Sequence, residues 1–112
     1  MTTIWHNPRC SKSRQTLALL EENGVQAKIR VYLKEPPTEA ELREVLAKLG
    51  VTAAQIVRTG EKAFKELELK NADDDTLIAA MVANPILIER PIVIKGDKAV
   101  VGRPPENVLS LL

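Results

Sequence analysis

The sequence predicts an α/β fold: a mixed four-stranded sheet assembled as βαβ plus ββα, with a helical insertion at about 38–84. Three observations carry this. A strand, a helix and a second strand fit within roughly the first thirty residues, the length of a βαβ unit. Successive helical periods, several opened by capping signals, fill the middle of the chain. Two β-rich runs flank Lys95-Gly96-Asp97-Lys98 near the end, the signature of a hairpin. At 112 residues a single domain is expected, and 45% hydrophobic with 28% charged residues suits a globular core.

Thr2–Trp5 leans apolar and stops at the turn signal Asn7-Pro8, which predicts the first strand. Ser11–Asn23 carries Leu17 and Leu20 at helical spacing, with Gly24 placed for a left-handed C-cap. Val25, Ala27, Ile29 and Val31 alternate with Gln26, Lys28, Arg30 and Tyr32, predicting a second strand with one buried face. After the break at Pro36-Pro37, Thr38 with Glu41 forms a capping-box pattern; Leu42, Val45, Leu46 and Leu49 supply an apolar stripe, and Gly50 closes the helix. Thr52 with Gln55 opens a shorter helix, and Glu61–Leu67 a further one with Phe64 and Leu67 on one side. Asp73-Asp74-Asp75 suits a helix N-terminus, ahead of a buried face of Leu77, Ile78, Met81 and Val82. Ile92-Val93-Ile94 and Ala99-Val100-Val101 are the hairpin arms. Pro105 opens a last short helix, with Val108, Leu109 and Leu112 as its apolar stripe. With the helical block removed, the order is that of a thioredoxin-like sheet.

A formal net charge of +1 argues against bulk attraction to nucleic acid or to an anionic membrane. No apolar run approaches the length of a membrane span, and the N-terminus lacks the pattern of a signal peptide. A cytoplasmic setting is expected, where the one cysteine stays reduced.

That cysteine, Cys10, lies at a strand-to-helix junction in His6-Asn7-Pro8-Arg9-Cys10-Ser11-Lys12-Ser13-Arg14, a stretch that also holds the one histidine. The unpaired N–H groups of a first helical turn, together with Arg9, Lys12 and Arg14, favour a thiolate there. The plain alternative is a small buried cysteine. A dithiol motif would need a second cysteine at position 13, which is Ser13, so any redox cycle must borrow an external thiol. A cysteine-phosphatase loop would need arginine at position 16, which is Thr16. His6 either tunes the thiol or is a partly buried strand-end residue. One Cys and one His fall short of a structural zinc shell, so no metal is expected. Arg90 and Arg103 each precede a proline that stiffens the backbone carrying a fork suited to oxyanions.

The motifs His6-Asn7-Pro8-x-Cys10-x-x-Ser13-Arg14, Ile88-x-Arg90-Pro91-Ile92-Val93 and Gly102-Arg103-Pro104 together resemble the glutaredoxin-dependent arsenate reductase family. The likeness also takes in Tyr32-Leu33-x-x-Pro36-Pro37-Thr38 and Ile56-Val57-Arg58, and so runs from about Ile4 to Leu112. The resemblance implies a thioredoxin-like fold with a helical insertion; a monomer without a bound cofactor is expected. It implies Cys10 as the nucleophile on arsenate, with His6 helping to activate it. Arg58, Arg90 and Arg103 would bind the oxyanion, with Ser13 in support and Pro91 matching a cis proline. Glutathione would attack the thiol–arsenate adduct as co-substrate, and glutaredoxin would resolve the mixed disulfide. The sequence departs from the pattern in the charged Arg9 and in Ser11-Lys12, which bears on the natural substrate. Two other functions are compatible with such a chain. One is an Spx-like regulator that binds RNA polymerase, although Ser13 removes its usual dithiol switch. The other is a monothiol oxidoreductase, which would need Cys10 but not the arginines.

Overall fold

A computed structural model describes all 112 residues. They form two compact units, Met1–Glu35 with Arg90–Leu112, and Pro36–Glu89. No helix is long and apolar enough to cross a membrane.

The first unit holds β1 (Thr2–Trp5), α1 (Ser11–Glu22), β2 (Lys28–Arg30), β3 (Ile92–Lys95), β4 (Lys98–Val101) and a 3₁₀ helix over Pro105–Leu111. The four strands form one mixed sheet in the order β2-β1-β3-β4. β1 runs parallel to β2 and antiparallel to β3, and β3 runs antiparallel to β4. This is the predicted thioredoxin-like α/β arrangement. Ile4 and Val93 face each other across the sheet and are fully buried. They share a core with Leu20 from α1 and Val108 from the 3₁₀ helix. α1 closes as its sequence predicts: Gly24 has φ +74°, its N–H donates to Glu21 O (3.0 Å), and the Val25 N–H reaches back to Leu20 O (2.9 Å). Those are the paired bonds of a Schellman ending, and Val25 packs against the core that contains Leu20. The hairpin turn places Gly96 at its first central position with φ +61°, a conformation open to glycine.

Two predictions for this unit are corrected. The second strand covers only Lys28–Arg30, and Ile29 is 49% exposed. β2 is an edge strand with one neighbour, so alternation in the sequence does not translate into a buried face there. Val25 and Ala27 still pack on the core, but from the connection before the strand begins. The C-terminal helix is 3₁₀, and its inner positions are Pro105, Val108 and Leu111, while Leu109 and Leu112 are exposed. A 3₁₀ helix has three residues per turn, so residues three apart stack on one face and the α-helical stripe does not apply.

The second unit contains α2 (Glu39–Leu49), α3 (Ala53–Ile56), α4 (Lys62–Glu66), α5 (Asp74–Ala83) and a 3₁₀ turn at Pro85–Leu87. The Thr38/Glu41 box is present: Glu41 N–H donates to Thr38 Oγ1 (3.1 Å) and Thr38 N–H to Glu41 Oε1 (2.9 Å). Asp73 caps α5 by accepting from the Thr76 N–H (2.8 Å). Leu42, Val45 and Leu46 of α2 and Leu77, Ile78 and Met81 of α5 are buried, and the two helices pack together. Leu67, predicted beside Phe64, is instead exposed past the end of α4. Glu68 turns the chain with φ +54°, and Leu69 returns to donate its N–H to Phe64 O (3.2 Å) and is buried in its place. The unit also reaches beyond the predicted 38–84, because Val57 and Ile88 form an antiparallel bridge. Arg58 N–H to Leu87 O (2.8 Å) and Glu89 N–H to Ile56 O (2.9 Å) close that bridge on either side.

Candidate active site

Strand register brings the sequence-distant candidates of the first unit to one end of the sheet. Arg30, Trp5, Ile92 and Val101 form one row across it, through the pairs Trp5 with Arg30, Trp5 with Ile92 and Ile92 with Val101. β1, β2 and β4 finish at this row and β3 starts from it. The segments just beyond it are therefore His6 to Cys10, Val31 onward, Arg90-Pro91 and Gly102-Arg103. His6 N–H to Arg30 O (2.8 Å) and Gly102 N–H to Pro91 O (2.9 Å) carry the pairing one residue further. The Arg30 guanidinium lies over the Trp5 ring at 5.7 Å, a cation–π contact at the row itself.

The loop bearing the thiol is built by its own residues. Asn7 and Pro8 occupy the first two positions of a β-turn that Cys10 N–H closes onto Asn7 O (3.0 Å), and Asn7 Oδ1 accepts from Arg9 N–H (3.0 Å). Arg14 folds back so that its Nη1 donates to Pro8 O (2.8 Å), strapping the loop to the first turn of α1. Cys10 is the N-cap of α1 and is half-buried; its carbonyl accepts from Arg14 N–H (3.0 Å). The sulfur thus sits where the first-turn N–H groups have no partner within the helix.

His6 and Ser13 are both buried beneath this loop. Ser13 Oγ lies 2.6 Å from His6 Nδ1 and accepts from the Asn7 N–H at 3.0 Å. The pairing that strands no buried hydroxyl hydrogen has Ser13 donating to Nδ1, so that Nε2 carries the imidazole proton. Burial first, and the nearby Arg14 charge second, hold the His6 pKa below its usual 6.5. The imidazole is therefore neutral at physiological pH and is held at the end of β1 by the serine that replaces a second thiol. Ser13→Ala removes both contacts at once and is expected to destabilise the fold by about 1–3 kcal/mol, read from urea unfolding.

The lowered His6 pKa also sets a pH dependence. The unfolded chain takes up a proton as pH falls through 6.5, while the folded chain resists it. Stability contributed by neutral His6 is therefore present above that value and is lost as pH drops below it. Urea midpoints are expected to fall on mild acidification, and His6→Asn, which keeps an acceptor near the Nδ1 position, should flatten that fall.

Arg90 is half-buried and Arg103 exposed, and Arg103 Nη1 makes a long contact of 3.4 Å to Arg90 O. The Arg90-Pro91 bond is cis, as the resemblance implies, and the Arg103-Pro104 bond is cis as well. Arg58 belongs to the helical unit. Its Nη1 is hydrogen-bonded to Glu61 and its Nε lies 3.9 Å from Glu89, so this guanidinium is already charge-compensated within its own unit.

Two residues that position the site were not singled out from the sequence. Thr16 is fully buried, with its hydroxyl on Lys12 O (2.8 Å) and 3.4 Å from Gly102 O. Gly102 approaches α1 and Pro91 so closely that a Cβ there would lie 2.6 Å from Thr16 Oγ1 and 2.9 Å from Pro91 Cγ. Thr16 enters the sequence reading only as the position where a phosphatase loop would need arginine. Gly102 stood out only as part of a motif, and the contact that requires glycine comes from a helix 86 residues earlier.

Comparisons with known proteins bear on this arrangement. The model described as the ArsC family matches residues 5–111. The chain is 50% identical to a protein of Escherichia coli K12 named "Uncharacterized protein YfgD", over 97% of this chain and 94% of that one. It is 49% identical to an arsenate reductase of Haemophilus influenzae, over 97% of each chain. The solved structure of an arsenate reductase from Vibrio cholerae matches with a TM-score of 0.96 at 46% identity, covering 99% of this chain and 97% of that one.

Proposed function

The chain belongs to the ArsC family, and from that premise we propose that it is an arsenate reductase whose nucleophile is Cys10 and whose reductants are glutathione and glutaredoxin. The observation that carries this reading is the convergence at one end of the sheet. The one thiol caps α1 there, and Arg90 and Arg103 leave the neighbouring strands at the same end. Guanidinium forks match the oxygens of a tetrahedral oxyanion. Arg58 is proposed as a further arsenate ligand on the resemblance alone.

The chemistry balances with one protein sulfur. The Cys10 thiolate displaces water from protonated arsenate and forms a sulfur–arsenic(V) bond. A glutathione thiolate then attacks Cys10 Sγ. The sulfur–arsenic pair returns to arsenic, which leaves as arsenite, and a Cys10–glutathione disulfide remains. Two thiols have supplied the two electrons. A glutaredoxin thiolate takes the glutathione and frees Cys10. Neutral His6, carrying its proton on Nε2, serves as a donor beside the loop and adds no further positive charge to it.

Purified protein given arsenate, glutathione and glutaredoxin is expected to release arsenite, and omission of either thiol component should stop turnover. Absence of arsenite from the complete mixture would overturn the proposal.

A further inference from the structure

Strand order leaves Cys10 with two different flanks. β3 and β4, with Arg90 and Arg103, lie on one side of β1, and β2 lies on the other. On the β2 side the thiol loop borders a groove of about 390 Å³, lined by Asn7, Pro8, Arg9, Val31, Leu33 and Lys34. That volume falls in the range of small-ligand sites, roughly 300–1,000 Å³. Pro8, Val31 and Leu33 give it apolar surface, and Leu33 is 39% exposed. Arg9 and Lys34 give it positive charge, and no acidic residue lines it. The charged lining of the groove is therefore Arg9 and Lys34 alone, in a chain whose net charge is only +1.

We propose that this groove is the docking site of the glutathione that attacks Cys10. The proposal rests on the arsenate reading and adds where the reductant enters. A thiolate displaces a group from sulfur by approaching along the extension of the bond that breaks. With arsenic bound toward Arg90 and Arg103, an approach from the β2 flank would bring the incoming sulfur to Cys10 from the other side of β1 in strand order. Glutathione is a tripeptide with two carboxylates, one ammonium and an uncharged middle. Arg9 and Lys34 meet its net negative charge, and Pro8, Val31 and Leu33 meet its middle. The arsenate and the reductant are thereby bound on separate strands' ends and need not compete for one cation.

The test uses S-methylglutathione, which cannot react, titrated into the full chain and followed by amide chemical shifts. Saturable shifts centred on Asn7, Arg9, Val31, Leu33 and Lys34 are expected. Lys34→Glu, at an exposed position, should weaken binding by about five-fold. In turnover the same change should raise the KM for glutathione by that factor and leave the KM for arsenate where it was. Shifts centred on Ile92, Gly102 and Arg103, no saturable shift, or binding by Lys34→Glu within about two-fold of the unmodified chain would overturn the groove. Turnover with a glutathione KM indifferent to Lys34→Glu would overturn it while the arsenate reading stands. Saturable groove binding without arsenite production would do the reverse.

Discussion

Cys10→Ser is expected to abolish arsenite release, a loss of at least about three orders of magnitude. A hydroxyl cannot give up two electrons by forming a disulfide, so neither the adduct step nor its reduction has a substitute in this chain. The loss should come without unfolding. Cys10 occupies the N-cap of α1 and makes no side-chain capping bond, whereas serine is a favoured cap. The variant should therefore unfold at the same denaturant concentration or a higher one. A Cys10→Ser protein that still released arsenite would remove the covalent mechanism. The arginines separate this reading from a simple monothiol exchanger. Arg90→Ala and Arg103→Ala should each lower kcat/KM for arsenate by about a hundred-fold, while exchange of Cys10 with glutathione disulfide survives. Equal losses in both reactions would mean that these arginines serve the fold and not the oxyanion.

Gly102→Ala should be among the most damaging changes away from the thiol. The added methyl group would meet Thr16 Oγ1 at 2.6 Å, Pro91 Cγ at 2.9 Å and Thr16 Cγ2 at 3.0 Å. Nothing there is a flexible tip: Thr16 is fully buried in α1, and Pro91 is a buried ring next to β3. Either α1 moves away from the hairpin or the Gly102-Arg103 segment leaves its bond to Pro91 O. An expected cost of about 1–3 kcal/mol follows from overpacking, measurable as a lower urea midpoint. Because Arg103 is the next residue, arsenate turnover should fall by more than the unfolded fraction explains. Thr16→Ala combined with Gly102→Ala removes two of the three clashes and should recover part of both losses. No recovery would place the damage in the backbone of Gly102 and not in the packing against α1.

Much of the molecule was legible from neighbouring residues alone. The Asn7-Pro8 turn, the Gly24 ending of α1, the Thr38/Glu41 and Thr52/Gln55 boxes, the Asp73 cap and the Gly96 hairpin are specified within three or four positions, where backbone and side chain settle their own hydrogen bonds. The candidates for the site were legible too, because a lone thiol at a helix start and arginines before prolines are statements of residue type. The misjudged elements share one property. Burial of Ile29, Leu67 and Leu109 depends on what lies opposite them, and none of those partners is near in sequence. An edge strand, a left-handed turn at Glu68 and a 3₁₀ pitch each redirect an apolar residue without altering local composition.

The same division holds for function. On the proposed arsenate reading, Cys10 with Ser13 in place of a second thiol makes the chemistry single-sulfur and the reductant external, since no folding can supply a residue the chain lacks. Where that sulfur's partners stand is a matter of register. The row Arg30, Trp5, Ile92 and Val101 brings residues 90 and 103 to the end of the sheet where residue 10 begins its helix. The Ser13–His6 bond, the Gly102 contact with Thr16 and the groove on the β2 side exist only because strands far apart in the chain finish together. Residue chemistry singled out the proposed nucleophile, and strand pairing chose its surroundings.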